Sequence, residues 1–179
     1  MLVDALILEP VWQSVLQSQA LASQPMRISE RVDYAIRAMA ELALVEGETL
    51  KADVIAYRQS ISLKYLLDIL RDLKRAELVR SRRGPNGGFT LSRSAGDITL
   101  ADIFRAIDGP LADVHDKSLR RLRYANPAQK LPLVWMAIRA SLRRVLETVT
   151  IRDLSSGDLP VEVRFLAAEY RRNTGTENE

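Results

Sequence analysis

"ELVRSRRGPNGGFTLSR", Glu77–Arg93, decides the fold. "ELVRSRR" switches from the helical period towards a two-residue one, and "GFTLSR" does the same after the turn, as strands do. Between them Pro85 to Gly88 supply a compact turn, because glycine accepts backbone angles that side chains forbid. The segment is a β-hairpin with Arg80, Arg82 and Arg83 at its mouth.

Upstream of the hairpin the period is helical. Ser29 is placed as an N-cap, and Val32, Ala35, Ile36, Met39 and Ala43 form one apolar stripe that closes near Gly47. A short second helix is expected around Ala52–Tyr57. Ser62 caps a third over roughly 63–76, with Leu66, Ile69, Leu70 and Leu73 facing inward. Three helices and then a two-stranded hairpin is the order of a winged helix-turn-helix. The third helix would turn Lys64, Tyr65, Asp68 and Arg71 away from its leucines, a face with donors and acceptors for base edges and cations for phosphates. Arg83, beside the turn, suits the minor groove, where negative potential draws arginine most strongly. Arg80 and Arg82 suit phosphates, and Asn86, Gly87 and Gly88 complete the wing tip.

Downstream, Thr99 and Asp102 fit a capping box, Ile98 and Ile103 fit the hydrophobic staple, and Gly109-Pro110 ends the helix. Residues 111–127 read as a connector. A long amphipathic helix is expected from Ala128 to Thr148, with a stripe of Leu131, Trp135, Ile138, Leu142, Val145 and Val149. Its span of about 21 residues, roughly 31 Å, exceeds what one winged domain covers, so the stripe is read as a dimer seam. The expected organisation is an extension over 1–25, a winged DNA-binding domain over 26–97, a short helix and connector over 98–127, a dimerisation helix and C-terminal segment over 128–172, and a disordered tail over 173–179. The fold class is mostly α with one small β-hairpin.

The charge distribution fits a nucleic-acid partner, and taken alone it fits a solvated charged face equally well. The net charge is only +3, but residues 71–93 hold seven bases (Arg71, Lys74, Arg75, Arg80, Arg82, Arg83, Arg93) against Asp72 and Glu77. The chain has no cysteine and one histidine, His115, so thiolate chemistry and a histidine metal site are excluded and no cofactor is expected. Asp102 is explained by capping; Glu41 and Asp108 are read as acids on ordinary exposed helix faces. Without a Ser-His-Asp set or a phosphate loop, no enzyme is expected. Residues 1–25 have no base and carry Asp4, Glu9 and Pro10, which argues against a signal peptide and for a cytoplasmic protein.

"MRISERVDYAIRAMAELA", "ISLKYLLDILRDLKRAELVRSRRGPNGGFTLSR" and "DITLADIFRAIDGPL" together resemble the Rrf2 family of bacterial transcription regulators. The resemblance spans Met26 to Leu111, and more loosely the Trp135 helix through "TVTIRDL". It implies a homodimeric winged-helix repressor or activator, with the long helix as the main dimerisation element and Arg27, Ser62, Lys64, Tyr65 and Arg83 near DNA.

The sequence departs from the family at four places. The iron–sulfur cysteines of many members are missing, so a cluster cannot be held in the usual way and redox or nitric-oxide sensing is not transferred. Leu67 stands where "YLE" is common, which removes an acceptor for a cytosine amino group. Glu77 replaces a glycine before "LV". Residues 1–25 precede the usual start and are read as an extra helix, a disordered leader or a misassigned start. The function expected is a cluster-free, DNA-binding regulator, most simply a repressor, on a palindromic operator. A small metabolite or protein effector would act through the long helix or connector. The alternatives are a winged-helix adaptor without sequence-specific DNA binding, which would use the basic hairpin on an acidic protein surface, and a metabolite-binding enzyme built on the same fold.

Overall fold

Ser29 opens the first helix, its Oγ accepting the Val32 N–H at 3.1 Å, and Glu30 and Asp33 in the first turn suit the positive end of the helix dipole. The computed structural model describes residues 28–109 and 122–174, with side chains to 172. The expectations for residues 1–25, Arg27, residues 111–121 with His115, and residues 175–179 lie outside the described residues.

Helix α1 is Glu30–Leu44 and buries Val32, Ala35, Ala38, Met39 and Leu42. It stops three residues before Gly47, which takes a positive φ of 93° in the turn that follows. Helix α2 is Ala52–Gln59, two residues longer than expected. Ser60 ends it in the left-handed region (φ 55°), with Ser60 N–H on the Tyr57 carbonyl and Ile61 N–H on the Ala56 carbonyl, the two bonds of a Schellman turn. The half-turn positions the cap of α3, Leu63–Arg75, where Ser62 Oγ accepts the Tyr65 N–H at 3.3 Å.

Helix α3 ends in the same motif. Leu78 N–H reaches the Leu73 carbonyl at 2.9 Å and Glu77 N–H reaches that of Lys74 at 3.0 Å. This geometry puts Glu77 at φ 59°, the position that favours glycine. Leu78 and Val79 then enter the core. Strands β1, Val79–Arg82, and β2, Gly88–Leu91, pair antiparallel with Val79 opposite Leu91 and Arg82 opposite Gly88. A third, one-residue strand lies beside them: Leu50 exchanges both backbone hydrogen bonds with Phe89, at 2.9 and 2.8 Å. A Cβ on Gly88 would lie 2.6 Å from the Leu50 carbonyl oxygen, so the close approach requires glycine there.

The capping box at Thr99 and Asp102 forms as expected and opens α4, Leu100–Ile107. Ile98 and Ile103 are both fully buried. Helix α5 is Leu131–Thr148, preceded by a 3-10 turn over Ala128–Lys130. Pro132 in its first turn marks where the α-helix starts, so it is three residues shorter than expected. At its end Val149 and Thr150 return to the winged domain. Leu100 N–H bonds the Val149 carbonyl, Ile151 N–H bonds that of Ile98, and Thr99 pairs with Thr150. Helix α6, Ile151–Ser156, is opened by a second capping box, Thr150 with Asp153, and packs on α1. Helix α7 is Val161–Thr174 and runs two residues into the expected tail.

The core is one cluster drawn from α1, α2, α3, both strands and α4, and α6 adds Ile151. Polar ties fix the helices mutually. Glu41, expected on an exposed helix face, is instead the one buried charged residue among those described, because α2 covers it and it accepts from Arg58 at 3.0 Å and Gln59 at 2.6 Å. Arg31 of α1 bonds Asp72 of α3. The first tie holds α2 to α1 and the second holds α3 to α1.

Candidate nucleic-acid interface

One face of α3 is spent on the core through Leu66, Ile69, Leu70 and Leu73, all fully buried. The opposite face carries Ser62, Lys64, Leu67 and Arg71, all exposed, and half-buried Asp68. The sequence-predicted residues therefore share one surface, but they do not stand in equivalent states. Arg71 is bound to Asp68 at 2.9 Å, so that donor and that acceptor are engaged with each other. The Lys64 ammonium has no side-chain partner among the described residues. Ser62 Oγ accepts the cap bond and keeps its own proton to donate.

Tyr65 is half-buried. Its ring stands edge-on to Tyr34 of α1, centroids 5.8 Å apart and planes at 82°. Tyr34 in turn donates to Glu30 at 2.7 Å, and that bond is the first cause of a hydroxyl pKa raised above the ordinary tyrosine value. The Arg37 guanidinium lies over the Tyr34 ring, 5.2 Å from its centroid. Tyr65 thus anchors the start of α3 and leaves only part of its surface for a ligand.

The wing is open. Residues 81–86 are exposed throughout, and Gly87 N–H closes a four-residue turn on the Gly84 carbonyl at 2.8 Å, with Pro85 at its second position. Thr49 Oγ1 donates to the Asn86 carbonyl at 3.1 Å, which ties the tip to the strand residue beside it. A Cβ on Gly87 would meet the Arg82 carbonyl oxygen at 2.4 Å, so this turn also requires glycine.

Charge pairing distinguishes the wing arginines from several arginines of the body. Arg58 has Glu41, Arg93 has Asp102, Arg105 has Glu147 and Arg152 has Glu46 as carboxylate partners. Arg80, Arg82 and Arg83 have none among the described residues. Three neighbouring guanidinium groups without counter-charge repel one another unless an external anion joins them. Below the wing an open groove of about 810 Å³ runs between the end of α3 and β1, with Lys74, Arg80 and Arg93 on its walls. Lys51, one residue past the Leu50 bridge, is a further exposed cation that the sequence reading did not single out. Only the pairing of Leu50 with Phe89 brings it beside the hairpin.

On α5, Leu131, Trp135, Leu142 and Val145 are half-buried and Ile138 is exposed. Leu133 and Val134, which the sequence reading left out of the stripe, are 60% and 50% exposed. Trp135 Nε1 is buried without a hydrogen-bond partner. No group of three or more histidine or acidic side chains among the described residues could hold a metal ion, and no described helix is long and apolar enough to cross a membrane.

A family model, Rrf2, iron-dependent transcriptional regulator, matches residues 28–157. An HTH-type transcriptional regulator of Mycobacterium tuberculosis is 45% identical over 152 residues, 84% of this chain and 94% of that one. CymR of Bacillus subtilis, also an HTH-type transcriptional regulator, is 35% identical over 134 residues, 73% of this chain and 91% of its own. Its solved structure, described as the global cysteine regulator of that organism, superposes with a TM-score of 0.63 over 74% of this chain and 98% of that one. The structure of IscR from T. potens superposes with a TM-score of 0.60 at 29% identity, covering 75% and 90% of the two chains. The iron in the family's description finds no thiolate here, since the chain has no cysteine, and a cysteine-ligated cluster does not fit this donor set.

Proposed function

Because the chain belongs to the Rrf2 family of transcription regulators, we propose that it acts in the cytoplasm as a homodimeric, cluster-free repressor holding a palindromic operator. The family and its relatives are regulators, not enzymes. The observation that carries the reading is the set of unpaired arginines on the wing, Arg80, Arg82 and Arg83, beside the exposed Lys64 face of α3.

In this reading α3 enters the major groove from its capped end. Ser62 and Lys64 lead, and Arg71 becomes available when its pair with Asp68 opens. Arg83 reaches the minor groove, while Arg80 and Arg82 meet phosphates; Asn86, Gly87 and Gly88 keep the tip narrow enough to enter. Arg27 lies one residue before the described chain and is assigned a phosphate. Two copies joined along Leu131, Trp135, Ile138, Leu142 and Val145 of α5 present two such surfaces about one duplex turn, ~34 Å, apart, so the operator carries two-fold symmetry. Occupying both grooves blocks the duplex to other proteins, which makes repression the simplest outcome. A small metabolite or a protein effector that tilts α5 would change the half-site spacing, and with it the affinity.

The test is selection of bound fragments from the native genome by the full chain, followed by titration of the enriched site at several salt concentrations. A symmetric site, with affinity falling steeply as salt rises, is expected. A protein-binding adaptor would enrich no site.

A further inference from the structure

On the outward face of α3 the side chain that chemistry does not explain is Leu67. It is 40% exposed, and Leu63, one turn before it, is 43% exposed. Leu67 lies three residues after Lys64 and four before Arg71, so it shares their helix surface and stands between two cations. The four buried leucine and isoleucine side chains of α3 already fill the inner face. Leu67 is therefore surplus to the core and occupies a position where a polar residue would be solvated at no cost. Asp68, the one acidic residue on this surface, is tied to Arg71.

Major-groove base edges offer donors, acceptors and one kind of apolar group, the C5-methyl of thymine. An exposed leucine flanked by cations on a groove-facing helix has a single complement there. We infer that Leu67 is a specificity-determining residue that reads a thymine methyl in each half-site, with Lys64 and Arg71 holding the neighbouring phosphates or purine edges. This rests on α3 being the helix that enters the major groove. It adds to that reading the identity of a base.

The test separates the two. The full chain is used to enrich duplexes from a library with a randomised core, and each thymine of the enriched site is replaced in turn by deoxyuridine, which keeps every hydrogen-bonding group and removes only the methyl. One thymine per half-site is expected whose replacement weakens binding about fourfold, the effect of one buried carbon group. The same replacement should leave binding by Leu67→Ala unchanged. Alanine has the higher helix propensity, so that variant keeps α3, which circular dichroism verifies. An enriched site without such a thymine, no uridine effect at any position, or an equal loss in Leu67→Ala overturns the assignment and leaves α3 as the reading helix. A library that yields no enriched duplex removes the DNA reading and this assignment together.

Discussion

Thr99 pairs with Thr150 in an antiparallel bridge, and each of the two is also the N-cap of its own helix. The same two residues therefore start α4 and α6 and fasten the far end of α5 to the winged domain. Arg105 of α4 adds an ion pair to Glu147 of α5 at 2.6 Å, just before that fastening point. This junction joins the far end of α5 to the winged domain.

Thr150→Ala removes an N-cap hydroxyl that accepts the Asp153 N–H at 3.2 Å. The variant should lose about 1 kcal/mol of stability, within the usual range for cap removal. Urea unfolding followed by circular dichroism checks this, with the midpoint falling and the slope unchanged. An unaltered midpoint would mean that packing on α1 and the remaining ties of Ile151 and Arg152 hold α6 without the cap.

Glu77→Gly should have the opposite sign. The Schellman turn after α3 holds a side chain at φ 59°, where a residue with a Cβ is strained by roughly 1–2 kcal/mol. Glycine removes that strain and gives back part of it as unfolded-chain entropy, so a net gain of up to about 1 kcal/mol is expected. Glu77 lies at the junction of α3 and the wing, so the same variant tests whether the strain matters to DNA affinity.

How much of this was legible beforehand depends on the range of the interaction. Ser29, Ser62 and Thr99 announce helices within a few residues of themselves, and all three cap as the sequence predicts. Thr150 and Asp153 repeat the spacing of Thr99 and Asp102, yet α6 is only six residues long and gives no apolar period to confirm the cap. The strand at Leu50 is a single pairing with Phe89 and has no periodicity at all. In the candidate site, the wing arginines were visible as charge. That Arg71 is engaged by Asp68 whereas Arg80, Arg82 and Arg83 are not depends on where acids lie in space. Tyr65 reads as outward from its helix position; only the approach of Tyr34 from α1 makes it half-buried.

Acidification should loosen the contact between α1 and α6. Glu46, just past the end of α1, accepts the Ala95 N–H at 2.9 Å and faces Arg152 of α6 at 3.4 Å. Its carboxyl pKa is lowered, first by the Ala95 bond and further by Ser94 and Arg152. A depressed folded-state pKa contributes stability that is present above the ordinary carboxylate value and is lost as pH falls through the folded one. Stability of the native chain should therefore drop more steeply below pH ~4.5 than that of Glu46→Gln, with the two curves parallel near neutrality. Parallel curves over the whole range would show that the contact is too solvated to matter.

Arg83→Ala should weaken operator binding by about 1–3 kcal/mol and flatten its salt dependence by about one charge. Arg83 has no carboxylate partner among the described residues, so its removal leaves no acid unpaired and the effect is on the duplex alone. Fluorescence anisotropy at several salt concentrations measures both quantities. Unchanged affinity would take the wing tip out of the minor groove.

Ile138→Asp should give a folded monomer. Nine residues separate Ile138 from Glu147, two and a half helical turns, so the two side chains stand on opposite sides of α5. Glu147 is fixed to Arg105 of the same chain, and Ile138 therefore points away from its own winged domain. Val134, four residues earlier, continues that outer surface and is 50% exposed. Two copies joined along it would bury both. A buried aspartate on each copy would then face its twin, and burying two like charges together is strongly unfavourable. Trp135→Asp should also break the dimer, but Trp135 is half-buried with its indole nitrogen enclosed, so the loss would mix with unfolding. Ile138 is 40% exposed in the single chain, and its replacement leaves the fold's own packing in place. Sedimentation should show the mass halved, circular dichroism should be unchanged, and operator affinity should fall because one half-site is held at a time. A persistent dimer would place the seam on another face of α5 or on α7.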